Sequence, residues 1–285
     1  NLEDKAKYKQ NEIWRAFSEA PKAFTDDGKG NLIPKYPTSL IEYAKNFSSE
    51  PEAQNAIFKL VQSNITSSIS NSLKTKANSL LNENSLNKTK ALGDLETYYQ
   101  GLQSVWKDSP SILSVVSSDY NRYRAELENT INTNVSNKAF DDNIFESTEN
   151  ISIKAEQLAN LAFNNLTPQN DENAKKISAE ISNLFRLLER NPKAKKEDIK
   201  KLQSALVKTV AESYYKGLAE RAYFKAENDN KDDTSGLEAM YKVRQDIIKS
   251  IDGKTPMPFG MTKATALGAI EKAIAYQVKV NNQDY

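Results

Sequence analysis

Three serines stand three residues ahead of a lysine, Ser85/Lys88, Ser104/Lys107 and Ser213/Lys216. This is the spacing by which active-site serines of penicillin-binding enzymes meet the amine that takes their proton. That chemistry also needs Ser-Asp-Asn and Lys-Thr-Gly elements. The chain has no Ser-Asp-Asn, and Lys254-Thr255 is followed by Pro256. Ser85 reads instead as the cap of a helix, and a serine- and lysine-rich chain produces such pairs by chance. None of the three is expected to act as a nucleophile.

Two oxygen-rich stretches invite a cation or a phosphate. The first, Phe24-Thr25-Asp26-Asp27-Gly28-Lys29-Gly30-Asn31-Leu32-Ile33, lacks the alternating ligands and terminal Glu of an EF-hand loop. It also lacks the third glycine and preceding strand of a phosphate-binding loop, so it reads as a tight turn or a short hairpin. The second runs from Asn228 to Asp233. Lys231 interrupts its carboxylates and no glycine sits at the sixth position, so a solvated loop is expected. The chain has no cysteine and no histidine, which removes thiol, thiolate-zinc and imidazole chemistry together. Paired carboxylates remain for acid–base work, but nothing singles out two among 38 acidic residues. The reading is of a non-enzyme with no cofactor, no metal and no small-molecule substrate.

Nucleic acid is not an expected partner. Tyr120, Arg122, Tyr123 and Arg124 interleave rings and cations, yet helical register puts the tyrosines on an apolar stripe and the arginines elsewhere. Lys193, Lys195 and Lys196 are followed at once by Glu197 and Asp198, and the net charge is only +1. The Asn-x-Ser/Thr triplets at Asn46, Asn64, Asn87, Asn134 and Asn150 are those an asparagine-rich chain forms by chance. One irregular segment, Lys254 to Thr262, is apolar. It is expected to dock on its own core, and Met257, Pro258, Phe259 and Met261 are the residues it could offer to a partner.

The elements that would position these groups are helices. Ile57, Val61, Ile65, Ile69, Leu73, Ala77 and Leu81 recur every fourth position, an oblique row that turns about 40° per step and favours crossed helix packing over a straight coiled-coil seam. Similar rows are Leu206, Val210, Tyr214, Leu218 and Ala222, and Tyr123, Leu127, Ile131 and Val135. Leu92, Leu95, Tyr99, Leu102 and Trp106 alternate threes and fours instead, as a heptad seam does. Ser49/Glu52 and Ser235/Glu238 have capping-box spacing, and Pro51 and Pro110 suit first helical positions. A first helix over residues 1–20 would bury Ile13, Trp14 and Phe17.

The expected fold is all-α: an elongated array of obliquely packed long helices with at most one short β-hairpin near residues 24–33. An N-terminal region, 1–146, would hold long helices at about 49–82, 85–106 and 110–137, and a C-terminal region, 147–285, one at about 197–227. The polar stretch from Asn137 to Asn150 is the expected boundary. A hydrophobic content of 38% and a mean hydropathy of −0.68 suit helices with one wet side, and no run is long enough to cross a bilayer. The chain begins at Asn1, as a processed or excised segment would.

Such a chain is suited to building an assembly. The expectation is a structural or interaction protein whose partners are other protein subunits, itself included. A bacteriophage virion component, such as an internal or ejection protein, is the specific form. The alternative is a secreted or surface-exposed bacterial helical binding protein.

Overall fold

The computed structural model describes residues 2–19, 24–26, 32–34, 40–230 and 233–282, which are all-α apart from one small ribbon. The helices are α1 (Leu2–Glu19), α2 (Leu40–Lys45), α3 (Pro51–Glu83), α4 (Lys88–Val105), α5 (Pro110–Phe163), α6 (Glu172–Arg190), α7 (Lys196–Asn230), α8 (Asp233–Lys249) and α9 (Lys263–Asn281). Strands β1 (Phe24–Asp26) and β2 (Leu32–Pro34) pair antiparallel with Thr25 opposite Ile33. The turn between them, and the side chains of Ile13, Trp14 and Phe17, lie outside the described residues. The chain divides into two compact units, residues 1–137 and 138–285. That division falls within α5 and before the 146/147 boundary that composition suggests.

In the first unit α3 carries the core. Ala53, Ile57, Val61, Ile65, Ile69, Leu73 and Ala77 are each no more than 6% exposed, and the helix packs against α1, α2 and α4. Six steps of four residues carry this row about 240° around the axis, so a single neighbour cannot cover it. After Ala77 the next buried residue is Leu80, not Leu81, which is only half-buried. That step of three turns the stripe back by about 60°. The polar run through the middle does not break the helix, because Ser67 and Asn71 stay in solvent while Ile65, Ile69 and Leu73 are buried. Tertiary burial outweighs the weak local propensity of those serines.

The start of α3 differs from its capping-box reading. Glu50 is the cap residue and makes no side-chain cap bond. The Glu50 N–H donates to Ser48 Oγ at 3.2 Å, and Gln54 Nε2 donates to the Ser48 carbonyl at 2.8 Å. Glu52 is taken up by Lys9 of α1, whose ammonium holds that carboxyl below the usual carboxylate range. Likewise Asn87, not Ser85, caps α4, accepting from the Lys90 N–H at 3.1 Å. Ser235 lies inside α8, which starts at Asp233, so it is no cap either.

Helices α4 and the first part of α5 share one pattern. Ala91, Leu95 and Leu102 of α4 and Trp106, the cap residue that follows it, are fully buried, and Val116, Tyr120, Leu127 and Ile131 are buried on α5. Each set steps by four, seven and four, with tyrosine at the gaps, and the rings of Tyr99 and Tyr120 stack at 4.0 Å. Tyr123 is half-buried and Val135 is 44% exposed, so the every-fourth row expected there dissolves into this heptad-like one.

The Tyr120 hydroxyl donates to the Glu96 carboxylate. Burial, then that bond and its negative charge, push the Tyr120 phenol up to about 12, and burial pushes Tyr215 up to about 12 as well. Tyrosines of the unfolded chain ionise near pH 10. The stability these two phenols contribute is therefore complete below about pH 10 and is lost as pH rises toward about 12. Alkaline titration followed by circular dichroism should show unfolding in that window, and Tyr120→Phe should make the fall less steep.

In the second unit, α5 runs on to Phe163 instead of ending near Asn137. The polar stretch stays helical because the rest of the unit grips it. Asn191 Nδ2 donates to the Phe140 carbonyl at 2.8 Å and to Asn143 Oδ1 at 3.1 Å, Lys193 reaches Asp141 at 2.7 Å, and Lys138 pairs with Asp142 one turn on. Ile144 then packs on a core containing Ile151, Leu158, Ile177 and Ile181. Helix α5 stops in a Schellman motif: Asn165 takes φ 62°, its N–H bonds the Ala162 carbonyl, and the Leu166 N–H bonds that of Leu161. Asp171 caps α6 by accepting from the Ala174 N–H at 2.8 Å.

Helix α7 is shared by two cores. Ala211, Tyr215, Ala219 and Tyr223 face α8 and α9, meeting Met240, Ile247, Ile270 and Ile274, whereas Val210 faces α5 and α6. The buried row is thus shifted by one residue from Leu206, Tyr214, Leu218 and Ala222, which are half-buried. Neighbours on both sides of α7 make the flanks of its stripe, rather than the stripe's centre, the half-covered positions. The helix continues to Asn230, so most of the acidic stretch expected as a loop is helical, and Lys231 and Asp232 lie outside the described residues.

Candidate functional site

Helix α7 also closes the end of α5. Ser213, Gly217 and Arg221 are spaced by four and so lie along one side. Ser213 Oγ donates to the Ala159 carbonyl at 2.7 Å, and Arg221 donates to the carbonyl of Phe163, the last residue of α5. Between them Gly217 is buried against the Phe163 backbone, where a methyl group would stand 2.7 Å from the carbonyl carbon. Helix ends leave their last carbonyls without intrahelical donors, and Arg221 covers that of Phe163. Ser213 is thereby committed to structure, while Lys216 lies over the Tyr276 ring at 5.2 Å. Ser104 and Lys107 are both exposed. The Ser85 carbonyl accepts from Asn134 Nδ2, and Lys88 pairs with Glu128.

The same register of α7 presents Leu206 and Val210 to a cleft of about 310 Å³. Ile181 and Phe185 of α6 and Leu158 of α5 complete its walls, and Phe259 and Gly260 form one rim. Phe259 arrives there from the apolar segment 254–262, which docks on its own unit. Met261 is 4% exposed, and Met257 and Phe259 pack on the α7–α8–α9 core. The Tyr215 hydroxyl faces Met257 Sδ at 3.8 Å. Of the four residues offered as a partner contact, Met257, Pro258 and Phe259 keep part of their surface in solvent, and Met261 keeps almost none.

Phe259 has φ 58° and ψ 19°, and Gly260 follows at φ 66°. Two left-handed residues in a row reverse the chain, and for a phenylalanine this conformation costs about 1–2 kcal/mol. Contact on both sides holds it: the ring meets Tyr214 edge-on at 6.1 Å and touches both cores of the unit. Gln169, Ser178, Ser182 and Gln203 supply the polar lining, and among the described residues no ionisable one lines the cleft. Burial raises the phenol of neighbouring Tyr214 above its ordinary value. The described lining thus offers apolar surface and neutral hydrogen-bonding groups.

Elsewhere the second unit leaves large apolar side chains in solvent. Phe145 and Ile153 of α5 are 69% and 49% exposed, and Tyr241 and Ile248 lie seven residues apart on α8 with 48% and 38% exposed. No group of three acidic side chains that could hold a metal occurs among the described residues, and none of their helices is long and apolar enough to cross a membrane. Tyr123 and Arg122 contact each other, the guanidinium 4.7 Å from the ring and paired with Asp119 at 3.0 Å. That cation is therefore already engaged within its own helix. Compared with protein-family models, with curated proteins and with solved structures, the chain matches none.

Proposed function

We propose that this chain is a non-enzymatic structural or interaction protein that works by contacting other protein subunits in a larger assembly. The observation that carries this is the exposure of Phe145 and Ile153 on α5. Eight residues apart, they lie about 80° from each other around the axis and so on one side of the helix. Covering them with a partner would contribute about 1.5–3 kcal/mol for each side chain fully buried. The specific form of the proposal is a bacteriophage virion component such as an internal or ejection protein. A cysteine-free chain of long, polar-surfaced helices supports it, because such helices suit packing in a particle and release from it.

Light scattering on the purified chain tests the assembly reading. A discrete oligomer is expected, which the double variant Phe145→Asp/Ile153→Asp returns to monomer without loss of helical circular dichroism. A chain that is monomeric at every concentration, or an oligomer indifferent to both substitutions, would contradict it. The monomer would favour a secreted or surface-exposed bacterial binding protein.

A further inference from the structure

We propose that the cleft between α6, α7 and the Phe259 turn is a binding site for a small, uncharged, mostly apolar molecule carrying one hydroxyl or amide group. The site is independent of the assembly reading above, since it lies within the second unit and does not use Phe145 or Ile153. Three features of the lining select this chemistry. The volume, about 310 Å³, is at the small end of ligand sites. The walls are Leu158, Ile181, Phe185, Leu206 and Val210, with no cation or carboxylate to balance a ligand charge. An ionised ligand would give up part of its hydration there and meet no counter-charge in return.

The polar lining, in contrast, is available. The Ser182 hydroxyl donates to the Ser178 carbonyl at 3.0 Å, which leaves its oxygen free to accept. Gln203, half-buried on α7, and Ser178, half-buried on α6, form no side-chain hydrogen bond with other described residues. Together they offer donors and acceptors to one polar head while the tail lies against the aliphatic wall.

The second, separate observation is the backbone of Phe259. A turn with two left-handed residues is made most easily with glycine or asparagine, and Gly260 supplies one of them. Keeping a phenylalanine at the other costs conformational energy and places its ring at the cleft rim. Strained residues persist where surrounding structure holds them, and they concentrate at ligand clamps. Phe259 is accordingly held at the rim, where its ring can close on the apolar part of the ligand.

Octanol and octanoate, titrated separately into the full chain, make the test, with amide chemical shifts and melting temperature as readouts. Octanol should bind saturably below about 1 mM, shifting the amides of Ser178, Gln203 and Phe259, and octanoate should bind at least tenfold more weakly. Ser178→Phe, which fills the cleft from a half-exposed position, should weaken octanol at least tenfold. Gln203→Ala, which leaves the walls intact, should weaken it about threefold to tenfold if one hydrogen bond is lost. Absence of saturable octanol binding, equal binding of octanoate, or octanol binding unchanged in both variants would overturn the proposal.

Discussion

Gly217→Ala is expected to destabilise the second unit by about 3 kcal/mol, close to the largest effects that overpacking produces. Alanine is normally the better helix former by about 1 kcal/mol, so the sign rests entirely on what the new methyl meets. At Gly217 it meets the Phe163 carbonyl, a backbone group fixed by the Schellman turn at Asn165 and by the bond from Arg221. No rotamer change can relieve that overlap, and α5 and α7 would have to separate. Gly93, Gly101 and Gly268 provide the contrast, since a methyl at any of them meets nothing within 4 Å. Alanine there should raise stability by about 0.5–1 kcal/mol. Urea denaturation followed by circular dichroism checks both signs in one series.

Ile65→Ala should cost about 2–5 kcal/mol. Ile65 is fully buried at the middle of the α3 row, with Val61 and Ile69 on the neighbouring turns, so its truncation leaves a cavity that the helix cannot collapse to fill. Leu81→Ala, at the half-buried position where the row would have continued without its step of three, should cost about 1 kcal/mol or less. The ratio of these two losses tests whether the stripe leaves the strict four-residue step after Ala77, where pattern reading alone carries it on to Leu81.

Several features could be read from residue types because they are local. The helical state and the buried row from Ile57 to Ala77 follow from spacing, as does the proline at the start of α5. What could not be read depends on contacts between distant residues. The persistence of α5 past Asn137 rests on Asn191 and Lys193, about fifty positions away, bonding to Phe140 and Asp141. The one-residue shift of the α7 row arises because two cores grip that helix from different sides. The use of Asn87 instead of Ser85 to cap α4, and of Ser48 instead of Ser49 to accept the Glu50 N–H ahead of α3, is a choice between nearby polar residues, which spacing does not separate. The cleft is the least legible feature, drawing its walls from residues between Leu158 and Gly260, and nothing in Pro258-Phe259-Gly260 announces that the phenylalanine as well as the glycine is left-handed.

The slanted row on α3 is the claim on which the architecture of the first unit stands, and the absence of native cysteine makes it directly measurable. Single cysteines introduced one at a time from position 61 to position 73 would be alkylated under native conditions and their rates compared. Protection should recur every fourth residue, with cysteine at Val61, Ile65, Ile69 and Leu73 slow and at Ser63, Ser67 and Asn71 fast. Protection alternating at steps of three and four, or uniform rates across the segment, would contradict the account.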